Sequence, residues 1–298
     1  MEKFRGLAAE GGGVAGFNYL GALKQLAQNI PLEQFTVFSG SSAGAITMAM
    51  LSVRATLAQI EKILSATDFK KFKDNSCFII KDLIDLDRKY GWYNGTYLLE
   101  WIRQAMHTIT GMSDITFLEA HIKYGTTLTI TKVSVLKPLW KLITMDYLSH
   151  PNHSIALACR ESASMPIFYE AIPGKGVEAG YMFVDGGTLL NYPIEFLYRW
   201  LLPAECMGLY LLGTDDNADQ DNLLKSSPVS SFIEYGETFV ATLRNLAMKR
   251  HINTDDWKRT CKIKTHIVAT QFDLTESDRT QCIVDGTTAM IEFLESLS

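Results

Sequence analysis

The sequence predicts an α/β fold with a mostly parallel central sheet, and three observations carry that reading. Two strand–glycine-rich turn–helix units open the chain, the pattern of strands joined by helical crossovers. Apolar or β-branched runs of strand length recur downstream, and the middle of the chain shows helical periodicity. No Pro/Ser-rich linker and no internal repeat divides the 298 residues. The length therefore reads as one enlarged domain, 1–298, with a helical insertion after the second unit.

Taken in order, residues 5–9 read as a short strand that runs into EGGGVAG. Residues 17–27 read as a helix with Leu20, Leu23 and Ala27 on one face. Residues 35–39 form a second strand ending in GSSAG, and an apolar helix, 45–53, follows at once. Helical periodicity returns over 56–64 and over 95–109, the latter after the turn-like GWYNG. Residues 126–135 are β-branched and alternating, which predicts a strand. Residues 180–184 form another, closed by Asp185-Gly186-Gly187, and 209–212 and 265–270 read as two more. The acidic stretch 215–222 predicts a surface loop. Residues 232–248 place Phe232, Tyr235, Phe239, Leu243 and Leu246 on one side of a helix. We read that helix as packed on the core; a membrane-contacting element is the alternative, since Lys249-Arg250 follow. Residues 287–297 close the chain as a helix. The motif-bearing core thus spans about 5–200, and 201–298 complete the sheet and add helices.

Composition narrows the function. With 47% hydrophobic and 20% charged residues, disorder, collagen and coiled coil are excluded as the main architecture. A net charge of −5 gives no global attraction to nucleic acid or anionic lipid, so such contact must come from a local patch. Cys77, Cys159, Cys206, Cys261 and Cys282 are odd in number and widely spaced, without a C-x-x-C pair. That argues against a disulfide framework or zinc site and for a reducing compartment. The opening MEKFRGLAAEGGG has no apolar core of a signal peptide. Residues 34–53 are uncharged and long enough to span a bilayer, but their many hydroxyls predict buried soluble core.

Gly40-Ser41-Ser42-Ala43-Gly44 is a G-x-S-x-G pattern between an apolar strand and an apolar helix, the context of a nucleophile elbow. Ser42 is the candidate nucleophile. Gly40 and Gly44 let strand and helix approach, and the Ala43 N–H at the helix start would face an oxyanion. The run Glu10–Gly16 reads in three ways. As an oxyanion loop, Gly11, Gly12 and Gly13 present backbone N–H groups, with Gly16 supporting the turn. As a plain strand–helix turn, the glycines serve packing alone. As G-x-G-x-x-G, it would make the chain a nucleotide-binding oxidoreductase. That last reading wants an acid at the end of the next strand, and Glu33 precedes the strand instead.

A serine needs a base. None of His107, His121, His150, His153, His251 and His266 sits in a strand-end glycine motif. His150, His153 and His251 read as surface or loop residues, and His266 as a core histidine opening a strand. Asp185 fits better, because it ends an apolar strand, precedes Gly186 and Gly187, and strand C-termini converge on the site in a parallel fold. An aspartate at its ordinary pKa of about 3.9 is a poor base, and desolvation raises it. The plain alternative is an Asp-Gly turn.

With residues 11–16, Ser42 and Asp185 in this order, the sequence resembles the patatin-like phospholipase family, which carries a glycine-rich loop, G-x-S-x-G and then D-G-G/A. Arg160-Glu161-Ser162-Ala163-Ser164-Met165-Pro166 is similar to its R-A-S-x-S-x-P segment, and Asn191 and Pro193 fit D-G-G-x-x-x-N-x-P. Residues 91–95 with Trp101-Ile102, and Ile115-Thr116-Phe117, resemble bacterial members. The resemblance implies a three-layer α/β/α sandwich related to cytosolic phospholipase A2. It implies hydrolysis of acyl esters in phospholipids or neutral lipids by a Ser42–Asp185 dyad without histidine, metal, Ca²⁺ or other cofactor. It assigns Gly11, Gly12 and Gly13 to the oxyanion hole. The partner it implies is lipid at a membrane or micelle surface, and nucleic acid is not expected. Two positions depart from the family. Ala15 stands where Arg or Lys is usual, which would weaken anion binding or change head-group preference, and Lys132 stands where Asp is common. A non-catalytic scaffold that keeps the dyad by descent is the rival reading. A cytoplasmic enzyme, peripheral to membranes, is expected; an effector exported without cleavage is the alternative. An activating protein partner and the oligomeric state are not specified by the sequence.

Overall fold

The computed structural model describes residues 3–74, 90–213 and 254–297, together with 238 and 242. The predicted loop 215–222, most of the predicted helix 232–248, Cys77 and His251 lie outside the described residues.

Strands β1 (Gly6–Ala9) and β2 (Val37–Gly40) are buried at every position. That is the pattern of strands covered on both faces, and the two pair in parallel from Gly6↔Val37 to Ala9↔Gly40. Downstream lie β3 (Gly91–Tyr93), β4 (Thr127–Ser134), β5 (Lys141–Met145), β6 (Ile167–Tyr169), β7 (Ile172–Pro173), β8 (Met182–Asp185), β9 (Cys206–Leu212) and β10 (Thr260–Lys264). The main sheet runs β10-β9-β1-β2-β4-β8-β7, with β5 paired to β4; β3 and β6 form a separate parallel pair. Five neighbouring strands, β10 to β4, are mutually parallel, whereas β5, β8 and β7 join antiparallel.

Period-two alternation sorts the core into layers. Leu7, Ala9, Phe38, Leu209 and Ile263 face a large cluster with helices α1 (Asn18–Ala27), α2 (Ser42–Ser52), α3 (Leu57–Ser65), α4 (Thr96–Thr110), α5 (Phe117–Tyr124) and α6 (Ile155–Ser162). Ala8, Val37, Cys206 and Tyr210 face the other way, against Tyr192, against Ile194 and Leu197 of the 3-10 segment Ile194–Arg199, and against Trp257 of α7 (Thr254–Lys258). The C-terminal helix α8 (Glu276–Ser296) returns to the first layer beside α1. The result is an α/β/α sandwich. Among the described residues, no helix is long and apolar enough to cross a membrane.

Three expectations shift. The strand placed at 265–270 runs over Thr260–Lys264, where Cys261 and Ile263 are buried while Lys262 and Lys264 are exposed. Residues beyond it turn, with the Ile267 N–H donating to Thr265 Oγ1 at 3.3 Å. His266 is accordingly no core residue; it sits partly exposed against Asp285 at 2.9 Å. The last helix begins at Glu276, earlier than periodicity suggested, because Thr275 and Asp278 form a capping box there.

The largest difference concerns the strand that carries Asp185. The parallel rule that strand C-termini meet at the site does not apply to it, since β8 is antiparallel to β4, with Lys132 opposite Asp185 and Ser134 opposite Phe183. β4 pairs with β2 only as far as Ile130↔Gly40 and then continues to Ser134. At roughly 3.3 Å per residue, it overhangs the end of β2 by about 13 Å. β8 runs back down that overhang, so its C-terminus still arrives two residues beyond Ile130, close to the level where β2 ends.

Candidate active site

The turn after β2 is tight. Ser41 is extended (φ −122°), and Ser42 has φ +51° and is already the first residue of α2. A side chain at positive φ is strained by about 1–3 kcal/mol and persists only where its surroundings hold it. Here the Ser42 N–H donates to Ser162 Oγ at 2.9 Å, and the Ala45 N–H closes the turn onto Ser41 O at 3.1 Å. Gly44 is required by close approach, because a methyl there would run into the carbonyl oxygens of Ala9 and Glu10. Gly40 lies against the backbone of Ala45, and Gly16 brings the start of α1 against Ala43.

The glycine run leaves β1 beside this turn, with Gly11 so placed that a Cβ would lie 2.9 Å from Ser42 Cβ. Gly13 adopts φ +53° with its open side against Ala269 O. The Val14 N–H donates to Ala269 O at 3.0 Å, and Ala15 to Gly12 O at 3.1 Å. The Gly11 N–H donates to Asn191 O at 3.0 Å, so Gly11 is engaged and is corrected from oxyanion donor to spacer. The N–H groups of Gly12, Gly13 and Ala43 have no backbone acceptor among the described residues. Ala15, where a cation was expected, is buried in the core.

Glu10 had no assigned role in the sequence and Asn191 stood only as a motif position, and together they staple this loop. Asn191 Nδ2 donates to Glu10 Oε1 and to Gly11 O, both at 2.8 Å, and the Leu211 N–H donates to Glu10 Oε2 at 2.8 Å. The carboxylate thus ties the ends of β1 and β9 to the chain that follows Asp185. The only advance signal was its place directly before the glycines. Glu33, the acid a nucleotide ribose would need, lies in the 3-10 turn Leu32–Gln34 ahead of β2, at the opposite end of the parallel strands.

Asp185 is 1% exposed and Ser42 6%. The Asp185 N–H donates to Ser164 O at 2.9 Å, and its Oδ1 accepts from the Gly187 N–H at 2.7 Å. Gly186 packs on Thr131 of β4. The C-terminal end of α6 therefore grips both residues, Ser42 through Ser162 Oγ and Asp185 through Ser164 O. Buried Arg160 braces that segment, donating to Gly95 O and Asn94 O at 2.9 Å each and to Ser164 Oγ. On the far side, Lys132 has no exposed side chain and bonds Glu161 Oε2 at 3.3 Å and Glu178 Oε2 at 3.1 Å.

Ser42, Ala43, Gly13 and Asp185 line one cavity of about 100 Å³, whose other walls are mostly apolar, including Phe69, Phe72, Trp101, Phe168 and Phe272. No described histidine lines it. His121 bonds Thr126 O at 2.8 Å and stacks on Tyr147, His153 pairs with Glu161 at 3.0 Å, His150 faces Glu178, and His107 is exposed. Among the described residues, no group of three or more His, Cys, Asp or Glu side chains is placed to hold a metal. Cys159, Cys206, Cys261 and Cys282 are buried free thiols.

The profile of the family described as "Patatin-like phospholipase" matches residues 7–198, which includes the glycine run, Ser42, residues 160–164, Asp185 and Asn191. The chain is 26% identical over 275 residues to protein R571 of Acanthamoeba polyphaga mimivirus, covering 91% of this chain and 87% of that one. It is 31% identical over 210 residues to triacylglycerol lipase 4 of Saccharomyces cerevisiae, covering 64% of this chain and 22% of the yeast protein. Its fold superposes on the crystal structure of VipD from Legionella pneumophila with a TM-score of 0.62 at 16% identity, covering 99% of this chain and 67% of VipD. With a family match across most of its length and a shared fold across nearly all of it, this chain belongs to the patatin-like phospholipase family, a family of lipid hydrolases.

Proposed function

We propose that the chain is a serine lipid acyl hydrolase of the phospholipase A or lysophospholipase type, acting as one unit through a Ser42–Asp185 dyad. The observation that carries this reading is a serine held at positive φ on a helix N-terminus, sharing an apolar cavity with a buried aspartate and no described histidine. Ser42 Oγ attacks the ester carbonyl while the Asp185 carboxylate takes its proton. The N–H groups of Gly12, Gly13 and Ala43 meet the oxyanion, aided by the α2 dipole. Asp185 then returns the proton to the leaving alcohol. In the second half, water loses a proton to Asp185 as it attacks the acyl-serine, and Asp185 passes that proton to Ser42 Oγ as the bond to the acyl group breaks and the fatty acid leaves. The aromatic walls hold the acyl chain and exclude water, which strengthens each of these charge interactions.

The substrate class is an acyl ester presented at a membrane or micelle surface. Ser42→Ala and Asp185→Asn are each expected to abolish hydrolysis in a panel of phospholipids, lysophospholipids and triacylglycerols while circular dichroism stays native. A fluorophosphonate probe is expected to label Ser42. Full activity in either variant, or labelling of another serine, refutes the dyad. A wild-type chain inactive on the whole panel and unlabelled by the probe would favour the non-catalytic scaffold.

A further inference from the structure

Two neighbouring hairpins end side by side at the edge of the sheet. β4 and β5 are joined by residues 135–140, and β7 and β8 by residues 174–181. The Val135 N–H donates to Met182 O at 2.9 Å, and the Gly174 N–H to Tyr181 O at 2.9 Å, so the two turns leave their strands at one level. β4 is parallel to β2, so both turns stand at the end of the sheet from which the Ser42 turn also departs.

Their tips bring exposed apolar and aromatic side chains together with lysines. Leu139 is 79% exposed, Trp140 41% and Tyr181 46%. Lys137, Lys141 and Lys175 are exposed around them. Glu178, the acid of the two turns, faces inward onto Lys132 and His150. On a chain of net charge −5, this is a local concentration of positive charge around exposed apolar and aromatic groups.

We propose that these two hairpin tips dock the protein on an anionic lipid surface. Tryptophan and tyrosine favour the bilayer interface because one end of each ring is apolar and the other polar, and lysine ammonium groups reach anionic head groups from the same level. A stable protein interface buries about 800 Å² per partner and about 20–30 residues a side, whereas these turns offer three exposed apolar side chains. A bilayer needs only a few inserted side chains plus charge. The surface serves the lipid hydrolase reading given above but does not depend on catalysis for its test.

The test uses the full chain carrying Ser42→Ala, so that binding is read without turnover. It is sedimented with vesicles of phosphatidylcholine containing phosphatidylserine and, separately, of phosphatidylcholine alone. Binding to the anionic vesicles, weakened by added salt, is expected. Combined Lys137→Gln, Lys141→Gln and Lys175→Gln is expected to lower that affinity roughly 100-fold, and Leu139→Ser with Trp140→Ser roughly 10-fold. With Ser42 intact, both tip variants should hydrolyse a soluble short-chain ester at the wild-type rate. The proposal is overturned if the unaltered tips fail to bind anionic vesicles or bind independently of salt and lipid charge. It is also overturned if the variants bind as well as the parent, or if they lose soluble-ester turnover. Absence of hydrolysis in the Ser42-intact chain would refute the hydrolase reading while leaving the binding result to stand by itself.

Discussion

Lys132→Met isolates the charge cluster behind the site. Lys132 Nζ lies 3.3 Å from Glu161 Oε2, 3.1 Å from Glu178 Oε2 and 3.6 Å from the centre of the Phe183 ring. Methionine retains the length and apolar stem but strands Glu161, whose side chain is only 3% exposed. Deleting one partner of a buried ion pair costs about 3–5 kcal/mol. His153, 3.0 Å from the same Glu161 oxygen, remains as a hydrogen-bond partner, so the low end applies, at about 3 kcal/mol. At roughly 2.1 cal/mol/K per residue, 298 residues give an unfolding entropy near 0.6 kcal/mol/K, and Tm should fall by about 5 °C. Adding Glu161→Gln removes the stranded charge, and the double variant should recover at least half of that loss. Thermal unfolding followed by circular dichroism at pH 7.5 measures both. A single variant that loses less than about 1 kcal/mol refutes the stranded charge, and so does a double variant less stable than the single.

Ser162→Ala removes the acceptor of the Ser42 N–H and leaves a buried donor unsatisfied, at about 1–3 kcal/mol. Because Ser162 acts on Ser42 and not on lipid, kcat on a soluble ester should fall roughly tenfold or more with KM unchanged, and an unchanged kcat would contradict the role. Burial, followed by the Lys132 charge, lowers the pKa of His150 below 6.5. The folded state then binds fewer protons than the unfolded one below pH 6.5, so the stability gained from neutral His150 is present above 6.5 and is lost as pH falls through the lowered value. His150→Gln should flatten that part of a Tm-against-pH curve; an unaltered slope counts against it. Burial pushes Cys206, Cys261 and Cys282 up to about 12 and raises Cys159 as well. Iodoacetamide at pH 8 should therefore modify these four only after unfolding, as read by peptide mass spectrometry.

Much of the fold was legible because its signals are local. β1, β2 and the helices behind them follow from apolar runs punctuated by glycine, whereas the capping boxes of Thr56 with Gln59 and Thr116 with Glu119, and helix α5 itself, were not read from the sequence. The elbow at Ser42 was visible for the same reason, since glycine spacing reports steric need directly. What sequence pattern missed is relational. Nothing in residues 182–185 states that they run antiparallel to β4, because direction is decided by the overhang of a strand 50 residues earlier. Asp185 thus reaches the cavity of Ser42 although the rule for parallel strands does not apply to its own. The donor role of Gly11 failed because its N–H is claimed by Asn191, far along the chain. Ser162 and Ser164 were visible as letters of a motif, yet which atom of each grips the site, a hydroxyl in one and a carbonyl in the other, emerges only in three dimensions.

That pair of grips works as a gauge. Two positions at the end of one helix, 162 and 164, bond Ser42 and Asp185 directly, alongside the β4 register that places Asp185. Intervening turns are thereby released from any duty to keep length. At Gly111, where the backbone has φ +80° and no atom outside its own neighbours would lie within 4 Å of a Cβ, residues can be inserted without disturbing the spacing of Ser42 and Asp185. The turn after α4 can therefore lengthen while the ends of β2 and β8 keep their distance.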